Sequence, residues 1–272
     1  MRILLTTFTA LCIGATSNHS SLNLVHFHIT EILPELGKEP TSEEDSIGNT
    51  SWDETWYDGS SIDTTIDSES KFHTTSYSDL RQSIALKKDQ IHMHSTANKI
   101  KLDEAKTLLL NSLTKDVFPF WYGTAWDFNG ITETPGKGTI ACGYFVSTTL
   151  KHMGFNLNRY RIAQKAASDV INTFCVDSLI YQTTHLDKLI THVKKQDDGL
   201  YVLGLSYHVG FLHKQEDNVY FIHSNFSMPS MVIREHASKS AALHTSDVYI
   251  MGNITNNEAL LNKWLTNTPI PH

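Results

Sequence analysis

The order of apolar and polar residues changes character part-way along the chain. Between residues 78 and 196 the apolar residues recur every three or four positions, which is typical of amphipathic helices. From residue 200 onward that period is lost and strand-like runs replace it. Helices followed by antiparallel strands predict an α+β fold. The predicted helices cover 78–93, 101–114, a segment that begins at Cys142, 159–174, 185–196 and 257–266, and the predicted strands cover 200–212, 219–223, 231–235 and 247–254.

The first 75 residues differ in composition from the rest. Residues 1–17 combine a basic residue, an apolar-to-neutral run and a small-residue cleavage site, which predicts a secretory signal peptide; a buried first strand is the alternative. Residues 18–75 are acidic and rich in Ser and Thr, which predicts a linker or a prosegment. Trp52 and Trp56 motivate the hypothesis that this segment covers a cleft of the folded domain. We expect residues 76–272 to form that domain.

Charge and composition exclude two classes of partner. The formal net charge of −7 gives a nucleic-acid partner no electrostatic support. No apolar run approaches the roughly 18 residues of a membrane span, so we expect no transmembrane segment. The three cysteines, Cys12, Cys142 and Cys175, do not make a disulfide framework, although a bond between Cys142 and Cys175 stays open.

The chain holds 15 histidines, and two pairs of them have the spacing of a chelate. His26 with His28 and His92 with His94 could bind one metal ion if each pair lay on a strand. Nothing nearby completes a ligand set. We therefore expect solvated histidines, no metal and no cofactor.

Cys142 is the candidate nucleophile. It lies where a glycine-rich loop meets a predicted helix with a mostly apolar face, and Gly154 follows that helix as a stop signal. A cysteine at a helix start faces unpaired backbone N–H groups and the positive end of the helix dipole. Both favour the nucleophilic thiolate, so we expect Cys142 to be reactive at neutral pH. The alternative is a buried cysteine that acts as a small apolar residue.

Two histidines of the predicted hairpin are candidates for the partners of this thiol. His208 lies in the first strand and His223 in the returning strand, on either side of the polar turn 214–218. If positions 208 and 223 pair directly, both side chains share one face and meet. The midpoint of that pairing falls between residues 215 and 216, inside the turn. The alternative for His208 is a core histidine with satisfied hydrogen bonds.

An aromatic segment precedes the nucleophile. Residues 118–130 hold several aromatic side chains and two glycines after Pro119, which is expected to end the helical region. Aromatic residues around glycines often line a cleft, so we expect Trp121, Tyr122 and Trp126 to bind substrate. A plain aromatic core is the alternative.

Four segments in this order resemble the NlpC-like cell-wall cysteine peptidases. The segments are 120–124 (Phe-Trp-Tyr-Gly-Thr), 141–146 (Ala-Cys-Gly-Tyr-Phe-Val), 208–212 (His-Val-Gly-Phe-Leu) and 220–224 (Tyr-Phe-Ile-His-Ser), and the resemblance covers roughly residues 100–250. It implies a papain-like fold, in which N-terminal helices with the nucleophile at a helix start pack on an antiparallel sheet. The family usually has Asp-Cys-Ser where this chain has Ala-Cys-Gly, and the loop 124–139 is longer than usual.

The resemblance also implies roles for individual residues. Cys142 would be the nucleophile, His208 the base and then the acid, and His223 the residue that orients His208. Tyr122 matches the aromatic position near the oxyanion, and Asn225 is the alternative orienting residue.

These expectations combine into a secreted or periplasmic cysteine hydrolase. It would cleave an amide bond in a peptide, specifically in peptidoglycan stem peptides, through a Cys-His-His triad and an acyl-enzyme. One alternative keeps the triad in an acyl- or amidotransferase. Another is a catalytically inactive envelope-binding module whose Cys142 is unreactive or bonded to Cys175.

Overall fold

The computed structural model describes residues 76–94 and 98–272, and this part of the chain begins with helices. The predicted signal peptide, the 18–75 segment and the pair His26 and His28 lie outside the described residues. The first helices are α1 (Tyr77–His94), α2 (Asn98–Asn111), a π-helical turn (Ser112–Val117) and α3 (Phe118–Trp121).

Pro119 does not end the helical region as predicted. It lies in the first turn of α3, directly after the π-helical turn, where the Phe118 N–H donates to the Leu113 carbonyl five residues earlier. Proline is tolerated in the first turn of a helix because the N–H that it lacks would have no partner there. The chain therefore stays helical from α2 through α3.

The next helices carry the candidate nucleophile and pack beside it. They are α4 (Cys142–His152), α5 (Arg159–Ala163) and α6 (Ala167–Phe174). Gly154 follows α4 with a φ of +87°, as its predicted role as a stop signal requires. The single helix predicted over 159–174 is instead two helices, because the Lys165 N–H closes the end of α5 on the Ile162 carbonyl and α6 starts afresh after Ala166.

The second half of the chain builds one antiparallel sheet of six strands. The elements are β1 (Ile180–Thr183), α7 (Leu186–Lys194), β2 (Gly199–Leu205), β3 (Val209–Gln215), β4 (Asn218–Ser224), β5 (Val232–His236), α8 (Ala241–His244), β6 (Tyr249–Asn253) and α9 (Glu258–Leu265). The strand order in the sheet is β1-β6-β2-β3-β4-β5, and every neighbouring pair is antiparallel. The prediction of an α+β fold is confirmed, whereas β1 was not predicted.

The strand predicted over 200–212 is two strands. The chain turns at Ser206 and Tyr207, where the Leu205 N–H donates to the His208 carbonyl over 2.8 Å. β2 and β3 are therefore a hairpin with a two-residue loop. His208 lies at the end of that loop, one residue before β3.

Two apolar clusters cover the two faces of the sheet. The larger cluster joins one face to side chains of α1, α2, α4, α5, α6 and α9, and the smaller joins the other face to α7 and α8. The face of each strand follows the alternation of its residues, so Phe211 belongs to the larger cluster and Leu212 to the smaller. No helix in the described ranges combines the length and the apolar character that a membrane crossing needs.

Candidate active site

Cys142 is the first residue of α4, as the sequence predicted, and its neighbour Gly143 explains how the helix start is packed. A Cβ atom added at Gly143 would lie 2.3 Å from the Ala163 carbonyl oxygen, so only glycine lets α5 approach α4 this closely. Cys142 itself stays partly exposed.

The electrostatic surroundings of the Cys142 thiol differ from the expectation. Burial raises its pKa above the ordinary value, while the nearby backbone N–H groups of Val209 and Gly143 act to lower it. Burial has the larger effect. The raised pKa favours a neutral thiol at rest over the thiolate that the helix start led us to expect.

The structure brings His208 and His223 together. His208 Nε2 and His223 Nδ1 are 2.8 Å apart and share a hydrogen bond. Only 5% of His208 and none of His223 is exposed. The Val209 N–H that approaches the Cys142 sulfur belongs to the residue after His208, so the thiol lies near the backbone of the hairpin that brings the histidine pair together.

The predicted register of the hairpin is off by two residues. Gln215 pairs with Asn218 and Phe211 with Ile222, which sets Gly210 opposite His223. A shift of two residues keeps every side chain on its predicted face, because the side-chain period of a strand is two. His208 therefore meets His223 as a diagonal neighbour rather than as a direct partner.

Gly210 makes room for this diagonal contact. A Cβ atom at position 210 would lie 2.8 Å from the His223 Cβ and 2.7 Å from the Phe221 ring. The Phe221 ring stacks on the His223 ring, with 4.2 Å between their centroids. Because Gly210 has no side chain, His223 and the Phe221 ring can occupy the space beside it.

Glu235 extends the histidine pair to a third strand, and sequence reasoning missed it. Its Oε1 atom is 3.0 Å from His223 Nε2, and 24% of its side chain is exposed. Glu235 pairs with Phe221 across β4 and β5, so it too is a diagonal neighbour of His223. The prediction placed Glu235 at the end of a strand, but no signal in the sequence gave the register of β4 against β5.

Burial keeps both histidines neutral. It lowers the pKa of His208 well below 6.5, and His223 adds to that effect. It also lowers the pKa of His223, although the hydrogen bond that His223 donates to Glu235 acts in the opposite direction. Within the described residues the Cys142 sulfur makes no hydrogen bond to the His208 ring; in substrate-free enzymes such catalytic contacts are often long.

The three aromatic residues expected to bind substrate lie in different places. Trp121 is in the core with no exposed surface and donates its Nε1–H to the Tyr77 hydroxyl over 2.9 Å, so it offers no contact to a substrate. Tyr122 is partly buried against the larger cluster. Trp126 is partly exposed, and its ring lies 6.4 Å from that of Phe226.

Phe226 connects Trp126 to the histidine pair. Its ring centroid is 5.3 Å from that of His208, and 46% of the residue is exposed. Trp126 and Phe226 are therefore an accessible apolar wall on the His208 side of the site. The wall joins two segments far apart in sequence, because Ala125 forms a bridge with Met231.

Asn225, the alternative orienting residue, does not contact His208. Its side chain donates to the Pro229 carbonyl over 3.0 Å and accepts from Ser227, so it closes the loop between β4 and β5. His223 is the residue that holds the His208 ring.

The remaining candidates lie away from the site. Cys175 is a buried free thiol whose pKa burial raises to about 12, and Cys142 is also free. His92 and His94 lie on the helix α1, where residues two apart do not face each other. The described residues contain no group of three or more His, Cys, Asp or Glu that could hold a metal ion.

Three surface cavities of the described residues lie away from the histidine pair. One cavity of about 330 Å³ lies beside Cys175 and the end of the chain. Two others lie between α1 and α2 and beside Arg159. None of the three contains Cys142 or His208.

A comparison with family models, with curated proteins and with solved structures finds no match for this chain. The chemistry of the site therefore has to be argued from its geometry. A partly exposed thiol at a helix start and a pair of hydrogen-bonded imidazoles on the hairpin near it are the parts that nucleophilic acyl transfer uses.

Proposed function

We propose that this protein is a cysteine hydrolase that cleaves amide bonds through Cys142, His208 and His223. The observation that carries the proposal is the 2.8 Å hydrogen bond between the two buried histidines, one residue away from the Val209 backbone N–H that approaches the Cys142 sulfur. A nucleophile, a base and a group that orients the base are the three parts of such a site.

The neutral resting state determines the first step. Because the thiol keeps its proton, the His208 ring removes it as the sulfur attacks the substrate carbonyl carbon and the C–S bond forms. The backbone N–H groups at the start of α4 stabilise the oxyanion of the tetrahedral intermediate. His208 then gives its proton to the leaving amine nitrogen, the C–N bond breaks, and an acyl thioester remains on Cys142.

Water completes the cycle. His208 takes a proton from a water molecule while its oxygen attacks the thioester carbonyl. The C–S bond breaks, the sulfur takes the proton back from His208, and the carboxylic acid leaves. An acceptor amine in place of water would give the transferase reaction, so analysis of the products separates the two activities.

The substrate follows from the resemblance to the NlpC-like peptidases. We place the activity in peptidoglycan stem peptides and the protein outside the cytoplasmic membrane, with a papain-like arrangement of the fold. The helix that begins with Cys142, and the antiparallel hairpin that carries His223 on β4 and His208 just before β3, support this arrangement. The apolar wall of Trp126 and Phe226 adds a preference for an apolar group on the His208 side, where the leaving amine departs.

Digestion of peptidoglycan fragments tests the proposal. The full chain should release a new amino terminus from stem peptides, detected by mass spectrometry, and Cys142→Ala should abolish the release. Cys175→Ala is the matched control, because it removes the other described thiol away from the site, and it should keep the activity. No cleavage by the unaltered protein, or equal cleavage by Cys142→Ala, would contradict the proposal.

A further inference from the structure

We infer that Glu235 is a positioning residue that fixes the proton positions on both histidines, so that His208 carries its proton on Nε2 and keeps Nδ1 free to accept one. The effect on catalysis rests on the proposed function, whereas the proton positions do not. The three residues lie on or next to three adjacent strands, and each contact is diagonal: His208 before β3, His223 on β4 and Glu235 on β5.

The direction of each hydrogen bond follows from the carboxylate. A carboxylate accepts hydrogen bonds and donates none, so the proton between Glu235 and His223 belongs to His223 Nε2. A neutral imidazole carries one proton, which leaves His223 Nδ1 as an acceptor. His208 Nε2 must then be the donor in the 2.8 Å bond, and His208 Nδ1 is left with a lone pair.

Burial enforces the direction of both hydrogen bonds. His223 is completely buried and His208 nearly so, hence water cannot replace a missing hydrogen-bond partner at either ring. A protonated pair would bury a positive charge, which its surroundings disfavour. Glu235 is the one member with a partly exposed side chain, and it is also the member whose role as an acceptor is unambiguous.

Without Glu235 no neighbouring acceptor favours one tautomer of the pair over the other. The bond between the rings forms equally well with the proton on His223 Nδ1 and His208 Nε2 as the acceptor. In that arrangement His208 Nδ1 carries a proton and cannot accept one from Cys142. Glu235→Gln keeps the size of the side chain but offers an amide that donates as readily as it accepts.

Ring-nitrogen NMR of the ¹⁵N-histidine-labelled full chain tests the inference without a substrate. The unaltered protein should show both His208 and His223 with the proton on Nε2, and His208→Ala and His223→Ala assign the signals. Glu235→Gln should show a population with the proton on His208 Nδ1. Glu216→Gln is the matched control, because its side chain is exposed in the turn between β3 and β4, and it should show the unaltered pattern. A proton on His208 Nδ1 in the unaltered protein, or an unchanged pattern in Glu235→Gln, would overturn the inference.

Acylation of Cys142 by a simple activated ester, such as p-nitrophenyl acetate, gives the second measurement. Glu235→Gln should lower the acylation rate in proportion to the fraction of molecules with the proton on His208 Nδ1, because only the other tautomer can take the proton from Cys142. Glu235→Asp, which keeps a carboxylate acceptor, should recover part of the loss, an outcome that a merely structural role does not predict. Equal rates in Glu235→Gln and Glu216→Gln would overturn the inference. Proton positions as inferred, with no acylation of the unaltered protein, would instead refute the proposed function alone.

Discussion

At the scale of single residues, the site is set by burial rather than by the helix dipole. The start of α4 does offer N–H groups to the Cys142 sulfur, but burial outweighs them and raises the pKa of the thiol. The pKa of His208 moves in the opposite direction. A raised pKa of the thiol and a lowered pKa of the imidazole together favour the neutral pair over the ion pair.

The titration of Cys142 tests this account of the resting state. Because its pKa is raised, the unaltered protein should show no thiolate absorbance in the ultraviolet at neutral pH. The absorbance that Cys142→Ser removes should appear only above the ordinary thiol range of about 8.5. A thiolate signal at neutral pH that disappears in Cys142→Ser would contradict the neutral pair and restore the expectation from the sequence.

The sequence identified most residues of the site for reasons that hold at this scale. Cys142 follows a glycine-rich loop and opens a helix, and His208 and His223 fall on the same strand face by alternation. Glu235 could not be recognised, because its contact depends on the loop that separates β4 from β5. Trp121 was misplaced since an aromatic cluster in a sequence does not distinguish a core from a cleft.

At the scale of elements, the hairpin of β3 and β4 holds the histidine pair. Position 210 is opposite His223 in the ladder, and the glycine there leaves the space that the His223 ring and Phe221 occupy. The contact between His208 and His223 therefore depends on a residue that takes no part in chemistry.

Gly210→Ala should disturb the pair directly. The new Cβ would lie 2.8 Å from the His223 Cβ, so the strand or the ring has to move. We expect a loss of about 1–3 kcal/mol in the free energy of unfolding, as for other overpacked sites. The rate of Cys142 acylation should fall as well. Urea denaturation and intact-protein mass spectrometry measure the two effects.

Gly252→Ala is the matched control for this change. It adds the same group to β6, two strands away from β3, where the new Cβ would lie 2.8 Å from the Ile171 Cγ2 on α6. It should affect stability but leave acylation per folded molecule unchanged. Equal acylation in the two variants would show that the packing at Gly210 does not position the pair.

The elements that the sequence could not predict share a physical cause. The turn at Ser206 and Tyr207 lacks the glycine or proline that usually marks a hairpin, so β2 and β3 were merged into one strand. The π-helical turn before Pro119 is too short to produce a recognisable spacing of apolar residues in the sequence. The register of the β3–β4 hairpin was misjudged by two residues because the polar turn is longer than the two-residue loop that the structure uses.

At the scale of the whole molecule, buried histidines connect stability to pH. Burial lowers the pKa of His152 to about 4, where its Nδ1 atom also shares a hydrogen bond with the Tyr77 hydroxyl. Burial likewise lowers the pKa of His213 to about 4. Both residues titrate near 6.5 in the unfolded chain, so the unfolded state binds more protons than the folded state between these pH values.

Stability should therefore fall as the pH falls from about 6.5 toward 4. A histidine whose pKa is lowered by folding contributes to the free energy of unfolding. This contribution is complete above the pKa of the unfolded chain and is lost as the pH falls to the pKa of the folded protein. For His152 the shift corresponds to about 3 kcal/mol over this window. Urea denaturation at several pH values should show this slope, and His152→Gln should reduce it although it also lowers stability at neutral pH.

His185→Gln serves as the control for the pH slope, because His185 is exposed. It should leave the slope unchanged. A stability that stays constant between pH 6.5 and 4, or a slope that His152→Gln and His185→Gln alter equally, would contradict the assignment of the effect to burial.

The arrangement of the whole sheet was only partly accessible from the sequence. The succession of helices and then strands predicted the α+β class and its antiparallel strands. It could not predict that β6 inserts between β1 and β2, because such pairing joins segments about 50 to 70 residues apart through packing rather than local turn chemistry. The helices α1, α2 and α9 meet on one face only once that order is set.

The acylation of Cys142 by p-nitrophenyl acetate at neutral pH tests the central claim most directly, since it needs no knowledge of the natural substrate. Intact-protein and peptide mass spectrometry should find one acetyl group on Cys142. The rate should fall by about 100-fold in His208→Ala, because that variant removes the base, and should stay unchanged in Cys175→Ala. A Cys142 that is not acylated, or one that is acylated as fast in His208→Ala as in the unaltered protein, would contradict a nucleophile and base at this site.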